Sequence, residues 1–314
     1  MGATQDKTGK SIPDNLFIPI KKNTSDMDVL VRPSVGFWKD AWKRLLKNRL
    51  AAAGLFTIVL LTIMAIIGPM LTPYTYSGQT LSNQNQPPSG THWFGTDNLG
   101  RDMFTRTWYG ARISLFIGFT AAIIEFIIGV IYGGISGYKG GRTDNILMRI
   151  IDVLYGLPYL LVVILLMVVM GPGLITIIIA LTLTGWIGMA RIVRGQVLQL
   201  KTNEYVLASK VLGGNTSRII RKHLLPNTMG PVIVSMTLTV PGAIFAEAFL
   251  SFLGLGVSAP VASWGSMAND ALGVLNTGYW WRLFFPAFFI SLTMLAFNVF
   301  GDGLRDALDP KLRR

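Results

Sequence analysis

The sequence predicts an all-α, polytopic membrane protein with six transmembrane helices. Of its 314 residues, 51% are hydrophobic and only 14% are charged, although Lys and Arg outnumber Asp and Glu by 28 to 16. A soluble domain usually has about 25% charged residues, so this composition indicates membrane segments. The cations are distributed among the loops between apolar runs, which favours orientation in a lipid bilayer over nucleic-acid binding.

Six apolar runs are each long enough to cross the hydrocarbon core of a bilayer, which is about 30 Å thick and needs about 20 helical residues. A tight Gly171-Pro172-Gly173 break separates the third run from the fourth. The predicted transmembrane helices cover residues 50–71, 112–138, 147–170, 174–190, 228–250 and 283–300.

The segment before the first predicted span is polar. We expect residues 1–49 to form a cytoplasmic tail. Near its end, Trp38 and Trp42 alternate with Lys and Arg at helical spacing, which predicts an amphipathic helix near residues 35–49 on an anionic membrane surface. A basic flank that only fixes the orientation of the first span is a compatible alternative.

The distribution of Lys and Arg predicts the orientation of the spans, because cytoplasmic loops carry an excess of both. With the N-terminus inside, residues 139–149, 191–227 and 305–314 are also inside, and residues 72–110 are outside. Residues 111–304 then form a core that holds the second to sixth spans. Both termini are expected to be cytoplasmic. Only four of the 28 Lys and Arg residues fall outside, namely Arg101, Arg106, Arg112 and Arg282.

Several kinds of chemistry are excluded by composition and motif. The sequence has no Cys and only two His, His92 and His223, which lie far apart. Disulfides, zinc–cysteine centres, thiol nucleophiles and histidine-rich metal sites are therefore excluded. No Gly-rich phosphate-binding loop and no hydrolase or metalloprotease motif occurs. We expect no enzymatic activity and no cofactor or metal bound by this chain, and we expect His92 to be a surface residue.

The inside loop over residues 191–227 is long for a connection between membrane helices. Residues 204–212 are compatible with a helix, and Gly213 begins a Gly-Gly-Asn helix stop. A second, basic helical stretch covers residues 216–225, and Pro226 should end it. This pattern favours a structured docking element on the cytoplasmic side over a solvated loop.

Residues 204–213 and 219–227 resemble the "EAA" loop of ABC-importer permeases. The family pattern is E-A-A, three residues, Gly, nine residues and I-x-L-P. This sequence departs from it at Leu207, Ser209 and His223, which replace the Glu, the second Ala and the Ile. The change at Leu207 removes a charge from the docking helix. The resemblance assigns ATPase coupling to Glu204, Tyr205, Leu207, Ala208, Ser209, Lys210, Gly213, Gly214, His223 and Pro226.

Three further blocks, residues 94–115, 241–265 and 298–310, look like the "C"-type permease subunit of oligopeptide and dipeptide importers. The resemblance implies a type I ABC importer permease fold. It also implies a second homologous permease subunit, two cytoplasmic ABC ATPases that bind ATP and Mg²⁺, and an extracytoplasmic peptide-binding protein. ATPase closure would then bias the helix bundle between inward- and outward-facing states.

Two alternatives stay open at this point. Related importers use the same type of subunit for other cargoes, such as nickel or an oligosaccharide. A secondary transporter or channel is the alternative from another class of protein. It predicts inverted repeats with broken mid-membrane helices, and the sequence shows no clear repeat.

Glu125 and Glu247 fall within predicted spans, where a charged side chain costs about 2.5–3.5 kcal/mol on insertion scales. Glu125 is in the middle of the second span, where it would be protonated, paired with a partner subunit or on the transport path. Glu247 is near the outer end of the fifth span. For Glu247, a hydrogen bond to residues 251–256 and a contact with substrate both stay open.

Outside the membrane, we expect residues 97–102 to brace the bundle through turns and a helix cap.

Overall fold

The computed structural model describes residues 36–309, which form helices joined by turns and by one long irregular segment before residue 103. Apart from an isolated bridge between Thr96 and Asp102, the described residues contain no β-structure. A π-helical turn covers Ile220–Leu224, and 3₁₀ turns cover Gly68–Met70, Leu81–Asn83 and Leu272–Thr277. The α-helices are α1 (Phe37–Lys47), α2 (Arg49–Ile67), α3 (Met103–Lys139), α4 (Gly141–Tyr155), α5 (Tyr159–Met170), α6 (Leu174–Leu200), α7 (Glu204–Val211), α8 (Thr216–Ile219), α9 (Leu225–Phe252), α10 (Trp264–Asp270) and α11 (Trp281–Leu308).

The described part of the chain has 5 helical segments that are long and apolar enough to cross a membrane. They contain α2, α3, α6, α9 and α11. The pair α4 and α5 makes a sixth if it is counted as one bent span. The prediction of an all-α polytopic membrane protein is thereby confirmed, and helix α1 lies where an amphipathic helix is predicted.

The predicted third span, residues 147–170, is not one continuous helix. α4 ends at Tyr155, α5 begins at Tyr159, and the two helices bend by 78°. Pro158 explains the break, because it has no backbone N–H to donate and its ring disfavours the helical conformation at Leu157. Taken together, the two helices are long and apolar enough that their composition predicts one span.

Helices α3 and α6 approach each other closely along a row of glycines on α3. A Cβ atom at Gly129 would lie 2.6 Å from the Cβ of Met189, and one at Gly137 would lie 2.9 Å from the carbonyl oxygen of Arg194. Between them, a Cβ at Gly133 would collide with the α6 backbone. Small residues at this spacing allow helix backbones to pack closely in membranes. The row therefore makes a contact within the chain.

An aromatic cluster joins α2, α3, α9, α10 and α11. Trp264 of α10 is fully buried in it and donates its indole N–H to the carbonyl oxygen of Thr107 at 2.9 Å. Its ring stacks with Phe289 at 6.1 Å between centroids, and the Trp108 ring lies 4.7 Å from the same Phe289. Large aromatic side chains supply much of the packing energy of such a cluster, so α10 is fixed against the ends of three long helices.

Several helices extend beyond the predicted spans. α3 begins at Met103 and not at residue 112, because the Asp102 carboxylate accepts a hydrogen bond from Thr105 N at 2.8 Å and caps the helix. The prediction that Pro226 ends the basic helix is wrong. Pro226 lies in the first turn of α9, where a missing N–H is tolerated, and the π-helical turn leads into α9 without a break.

Replacing Gly133 with Ala should lower the thermal stability of the chain, because the added methyl group must displace the α6 backbone near Ala190. Overpacking of this kind costs about 1–3 kcal/mol. Gly195 on α6 is a matched control, since a Cβ built there meets nothing within 4 Å. Gly195→Ala should leave stability unchanged or raise it by up to about 1 kcal/mol. Thermal unfolding in detergent measures both variants, and equal melting temperatures would contradict close packing at Gly133.

Candidate functional site

The predicted coupling segment contains a short helix with a defined C-terminal cap. At the end of α7, Gly213 N donates to the Lys210 carbonyl oxygen at 3.1 Å, and Gly214 N donates to the Ser209 carbonyl oxygen at 2.9 Å. This pair of bonds is the Schellman pattern, which places a left-handed residue after the helix. Gly213 has φ of +80° and meets that requirement. The glycine stop expected from the sequence is therefore present.

One surface of α7 is apolar and exposed. Val211 and Leu212 are each 87% exposed, and Tyr205 and Leu207 are exposed as well. We call these four residues the apolar tip. Val206, between them in sequence, is buried against the bundle. A group of exposed apolar side chains on a polar loop is typical of a surface that binds another protein.

The buried side of α7 is attached to the ends of the membrane helices. Val206 packs in one cluster with Ile219 and Leu224, together with side chains of α3 and α6. The Ser209 hydroxyl and the His223 Nε2 lie 3.3 Å apart, which links α7 to the π-helical turn. α7 is therefore held in the same apolar cluster as side chains of α3 and α6. Of the remaining predicted residues, Gly214 is half-buried, whereas Glu204, Ala208, Lys210 and Pro226 are exposed.

An ion pair between a buried carboxylate and a partly exposed guanidinium ties α4 to α6 on the same side of the bundle. The Asp144 carboxylate accepts two hydrogen bonds from Arg194, from Nε and from Nη2, both at 2.6 Å. It also accepts one from the Ser136 hydroxyl of α3. Lys201 Nζ donates to the carbonyl oxygen of Gly137 at 2.9 Å. Bidentate pairs of this kind fix geometry as well as adding energy. The sequence did not predict this pair, because Arg194 and Lys201 were used only to predict which loops are cytoplasmic.

Glu247 has hydrogen-bond partners within the chain. Its side chain is fully buried. Oε1 accepts from the Ser251 hydroxyl at 2.8 Å, and Oε2 accepts from the Ser114 hydroxyl at 3.1 Å. The Ser114 hydroxyl in turn accepts from Trp264 N at 3.2 Å. These contacts join α3, α9 and α10, so the geometry favours the hydrogen-bonding role of Glu247 over contact with substrate.

Glu125 is in a different environment. It is only 7% exposed, yet among residues 36–309 its carboxylate has no hydrogen-bond partner. It lines a cavity of about 260 Å³ between α3, α5, α6 and α9. Tyr159, at the start of α5, lines the same cavity, and its buried hydroxyl is also without a hydrogen-bond partner. Two polar groups without partners thus meet at one cavity.

Residues 72–110, which are predicted to lie outside and which we call the outer segment, are braced by carboxylates. Asp97 accepts hydrogen bonds from Leu99 N at 2.8 Å and from Arg101 Nε at 2.6 Å. Asp102 caps α3 and contacts His92 Nδ1 at 2.8 Å. The expectation that His92 is a surface residue is wrong, since it is 4% exposed. The His92 ring is buried because it contacts the carboxylate of Asp102, which is ten residues away in sequence.

Arg282, at the start of α11, connects this outer segment to the bundle. Its guanidinium donates to Asn85 Oδ1 at 3.1 Å, to Asn98 Oδ1 at 3.2 Å and to the carbonyl oxygen of Asp270 at 2.8 Å. Arg282 is buried. Arg282, one of the four cations that the sequence predicts to lie outside, is therefore a structural anchor.

The fold and the loop together define a class of protein: a multi-pass membrane protein with a short helix that exposes apolar side chains. A family model described as "Binding-protein-dependent transport system inner membrane component" matches residues 126–314. A second model, "N-terminal TM domain of oligopeptide transport permease C", matches residues 36–88. The chain belongs to this family of transport permeases and is a multi-pass protein of a bacterial membrane.

Curated relatives match almost the whole chain. One, from Bacillus subtilis (strain 168), is named dipeptide transport system permease protein DppC and is 68% identical over 99% of this chain and 97% of its own length. Another from the same strain, oligopeptide transport system permease protein OppC, is 62% identical over 97% of this chain and 100% of its own length. An OppC from Haemophilus influenzae is 45% identical over 88% of this chain and 89% of its own length.

The fold also occurs in a solved ABC transporter. A structure described as inward-facing conformations of the MetNI methionine ABC transporter matches with a TM-score of 0.52. The match covers 66% of this chain and 98% of the other chain, at 17% sequence identity. At this level of identity the likeness establishes the ABC importer permease fold alone.

Replacing Asp144 with Asn should destabilise the chain, because Arg194 would lose a charged, bidentate partner. Hydrogen bonds to charged groups contribute about 1.5–3 kcal/mol. Asp152 is the matched control, since its ion pair with Arg191 is solvent-exposed, and such pairs contribute about 1 kcal/mol or less. Thermal unfolding in detergent should show a large loss for Asp144→Asn and a small one for Asp152→Asn. A loss at Asp144 no larger than at Asp152 would contradict a structural role for the pair of Asp144 and Arg194.

Proposed function

We propose that this chain is a membrane subunit of an ATP-driven importer for oligopeptides or dipeptides. It forms half of the translocation pathway, and a second homologous permease subunit forms the other half. Two cytoplasmic ABC ATPases bind ATP and Mg²⁺, and an extracytoplasmic peptide-binding protein delivers the cargo. The proposal is supported by relatives that are 62% and 68% identical over nearly the full length and are named as peptide permeases.

The exposed apolar tip of α7 is the observation that carries the ATPase-coupling part of this proposal. Val211 and Leu212 are largely exposed at the end of a helix that is otherwise anchored in the bundle. Burying a Val or Leu side chain fully contributes about 1.5–3 kcal/mol. An ATPase surface groove that covers the apolar tip would therefore bind it strongly, and this chain has no phosphate-binding loop of its own.

The coupling mechanism follows from the attachment of α7. ATP binding closes the ATPase dimer and displaces α7 in each permease subunit. Because Val206 belongs to one apolar cluster with side chains of α3 and α6, the displacement moves these long helices as well. A bundle with two packing arrangements responds by changing its population between inward- and outward-facing states. Hydrolysis releases the ATPase dimer and resets the bundle.

We also propose the orientation that this mechanism requires. α7 and both termini lie in the cytoplasm, and the braced segment over residues 72–110 lies outside, where the binding protein docks. The excess of Lys and Arg on the inner side supports this orientation.

Val211→Asp should weaken the binding of the partner ATPases by about tenfold or more, because a charged residue replaces an apolar contact of about 1.5 kcal/mol. In proteoliposomes that contain the complete importer, ATP-driven uptake of a labelled tripeptide should fall in parallel. Val211→Ile keeps the apolar surface and is the matched control, which should retain both activities. Co-purification with the ATPases measures the first effect, and radiolabel inside the vesicles measures the second.

Two results would contradict the proposal, and they are distinguishable. If Val211→Asp retained wild-type ATPase binding and uptake, the apolar tip would be excluded as the coupling surface. Failure of the wild-type importer to accumulate any short peptide, together with ATP-driven uptake of Ni²⁺ or an oligosaccharide, would show that the subunit serves another cargo.

A further inference from the structure

The cavity at Glu125 is lined by groups that accept hydrogen bonds and by small residues. Glu125 comes from α3, Tyr159 from α5, Thr184 from α6 and Thr239 from α9. The rest of the wall is small or aliphatic and consists of Leu181, Gly185, Gly242, Ala243 and Ala246. No Lys or Arg lines this cavity. Glu125 is the acidic residue in this lining, so with its carboxylate ionised the cavity favours a cation over an anion.

The Glu125 carboxylate packs against α6 at Gly185, and no hydrogen bond holds it there among the described residues. A Cβ atom at Gly185 would collide with the Glu125 carboxylate, so glycine at this position makes the room that the side chain occupies. Among the described residues, no donor completes its hydrogen bonding. A buried polar group without a partner is costly unless another molecule supplies that partner. An ionisable residue within a membrane span is by default a candidate for function.

The cavity fits an ammonium group better than a metal ion. Ca²⁺ takes 6–8 oxygen ligands and Mg²⁺ requires near-octahedral geometry, whereas this cavity offers one carboxylate and a few hydroxyl groups. A primary ammonium has N–H donors that match a carboxylate and hydroxyl oxygens. Thr239 already donates its hydroxyl hydrogen to the Ser235 carbonyl oxygen, which leaves its oxygen free to accept.

We propose that this cavity binds the primary ammonium group of a transported peptide, with Glu125 as its counter-ion and the Tyr159 hydroxyl as an additional hydrogen-bond acceptor. The inference rests on the proposed function and deepens it, since it names the chemical group that the membrane subunit contacts. The cavity of about 260 Å³ is smaller than the roughly 300–1,000 Å³ of a typical ligand pocket. It therefore takes one end of a peptide and leaves the remainder to the path outside this chain.

The absence of Cys from the chain makes a direct test available. Thr184, which lines the cavity, is replaced with Cys in the assembled importer. Two methanethiosulfonate reagents are compared, one with an aminoethyl group and one with a sulfonatoethyl group. Each forms a mixed disulfide with the thiolate and releases methanesulfinate. The mass of this chain alone reports the rate, so thiols in partner subunits do not interfere.

The aminoethyl reagent should react at Thr184→Cys faster than the sulfonatoethyl reagent by on the order of tenfold, because a charged cleft concentrates the oppositely charged reactant. Adding Glu125→Gln should remove most of this preference. Glu125 also affects the fraction of thiolate, but that effect is equal for both reagents and cancels in the ratio. Cys at the exposed Ser217, in the cytoplasmic loop, is the matched control, and its ratio should not change with Glu125→Gln.

Peptide protection identifies the source of the ammonium group. A tripeptide with a free N-terminus should slow the aminoethyl reaction, whereas its N-acetylated form should not. Protection by an N-acetylated tripeptide that contains Lys would support binding of a side-chain ammonium in the same cavity. Three results would overturn the proposal: a rate ratio that is unchanged by Glu125→Gln, no reaction with either reagent, or no protection by any peptide that carries an amine. The separate uptake assay tests the proposed function itself, so the two failures are distinguishable.

Discussion

The close contact between α3 and α6 is the constraint on which the other features depend. Glycines on α3 bring the two helices to a distance at which a single methyl group at Gly133 would collide with the α6 backbone. Asp102 caps the start of α3, and α3 carries Glu125, whose carboxylate has no hydrogen-bond partner among the described residues. α6 carries Arg194 and leads toward α7. Because the two helices pack closely along the glycine row, they link the segment before α3 with the segment that carries α7.

The other contacts add to this unit at both ends. On the α7 side, the pair of Asp144 and Arg194 attaches α4, and the cluster around Val206 attaches α7. At the other end, Glu247 and Ser114 join α9 and α10 to α3. The cavity at Glu125 lies between these two ends. In the proposed coupling, a displacement of α7 would reach the cavity through these packed helices.

Sequence reasoning predicted the features that depend on local pattern. Apolar length predicted the membrane helices, and the Gly-Gly stop predicted the end of α7. The bend at Pro158 was missed because residues 147–170 together have the length and hydropathy of one span, although Arg149 and Asp152 interrupt the apolar run. The pair of Asp144 and Arg194 joins residues 50 positions apart, and that of Arg282 and Asn85 joins residues 197 positions apart. Pairings at such separation arise from the packing of the helices, so a single sequence does not indicate them.

In the proposed function, closure of the ATPases displaces α7 and changes the side of the membrane from which the cavity at Glu125 can be reached. The most direct measurement is the side of the membrane from which a membrane-impermeant thiol reagent reaches Thr184→Cys in proteoliposomes that contain the complete importer. The account predicts labelling from the cytoplasmic side without nucleotide and from the opposite side when ATP and vanadate trap the closed ATPases. Labelling from the same side and at the same rate in both states would contradict it.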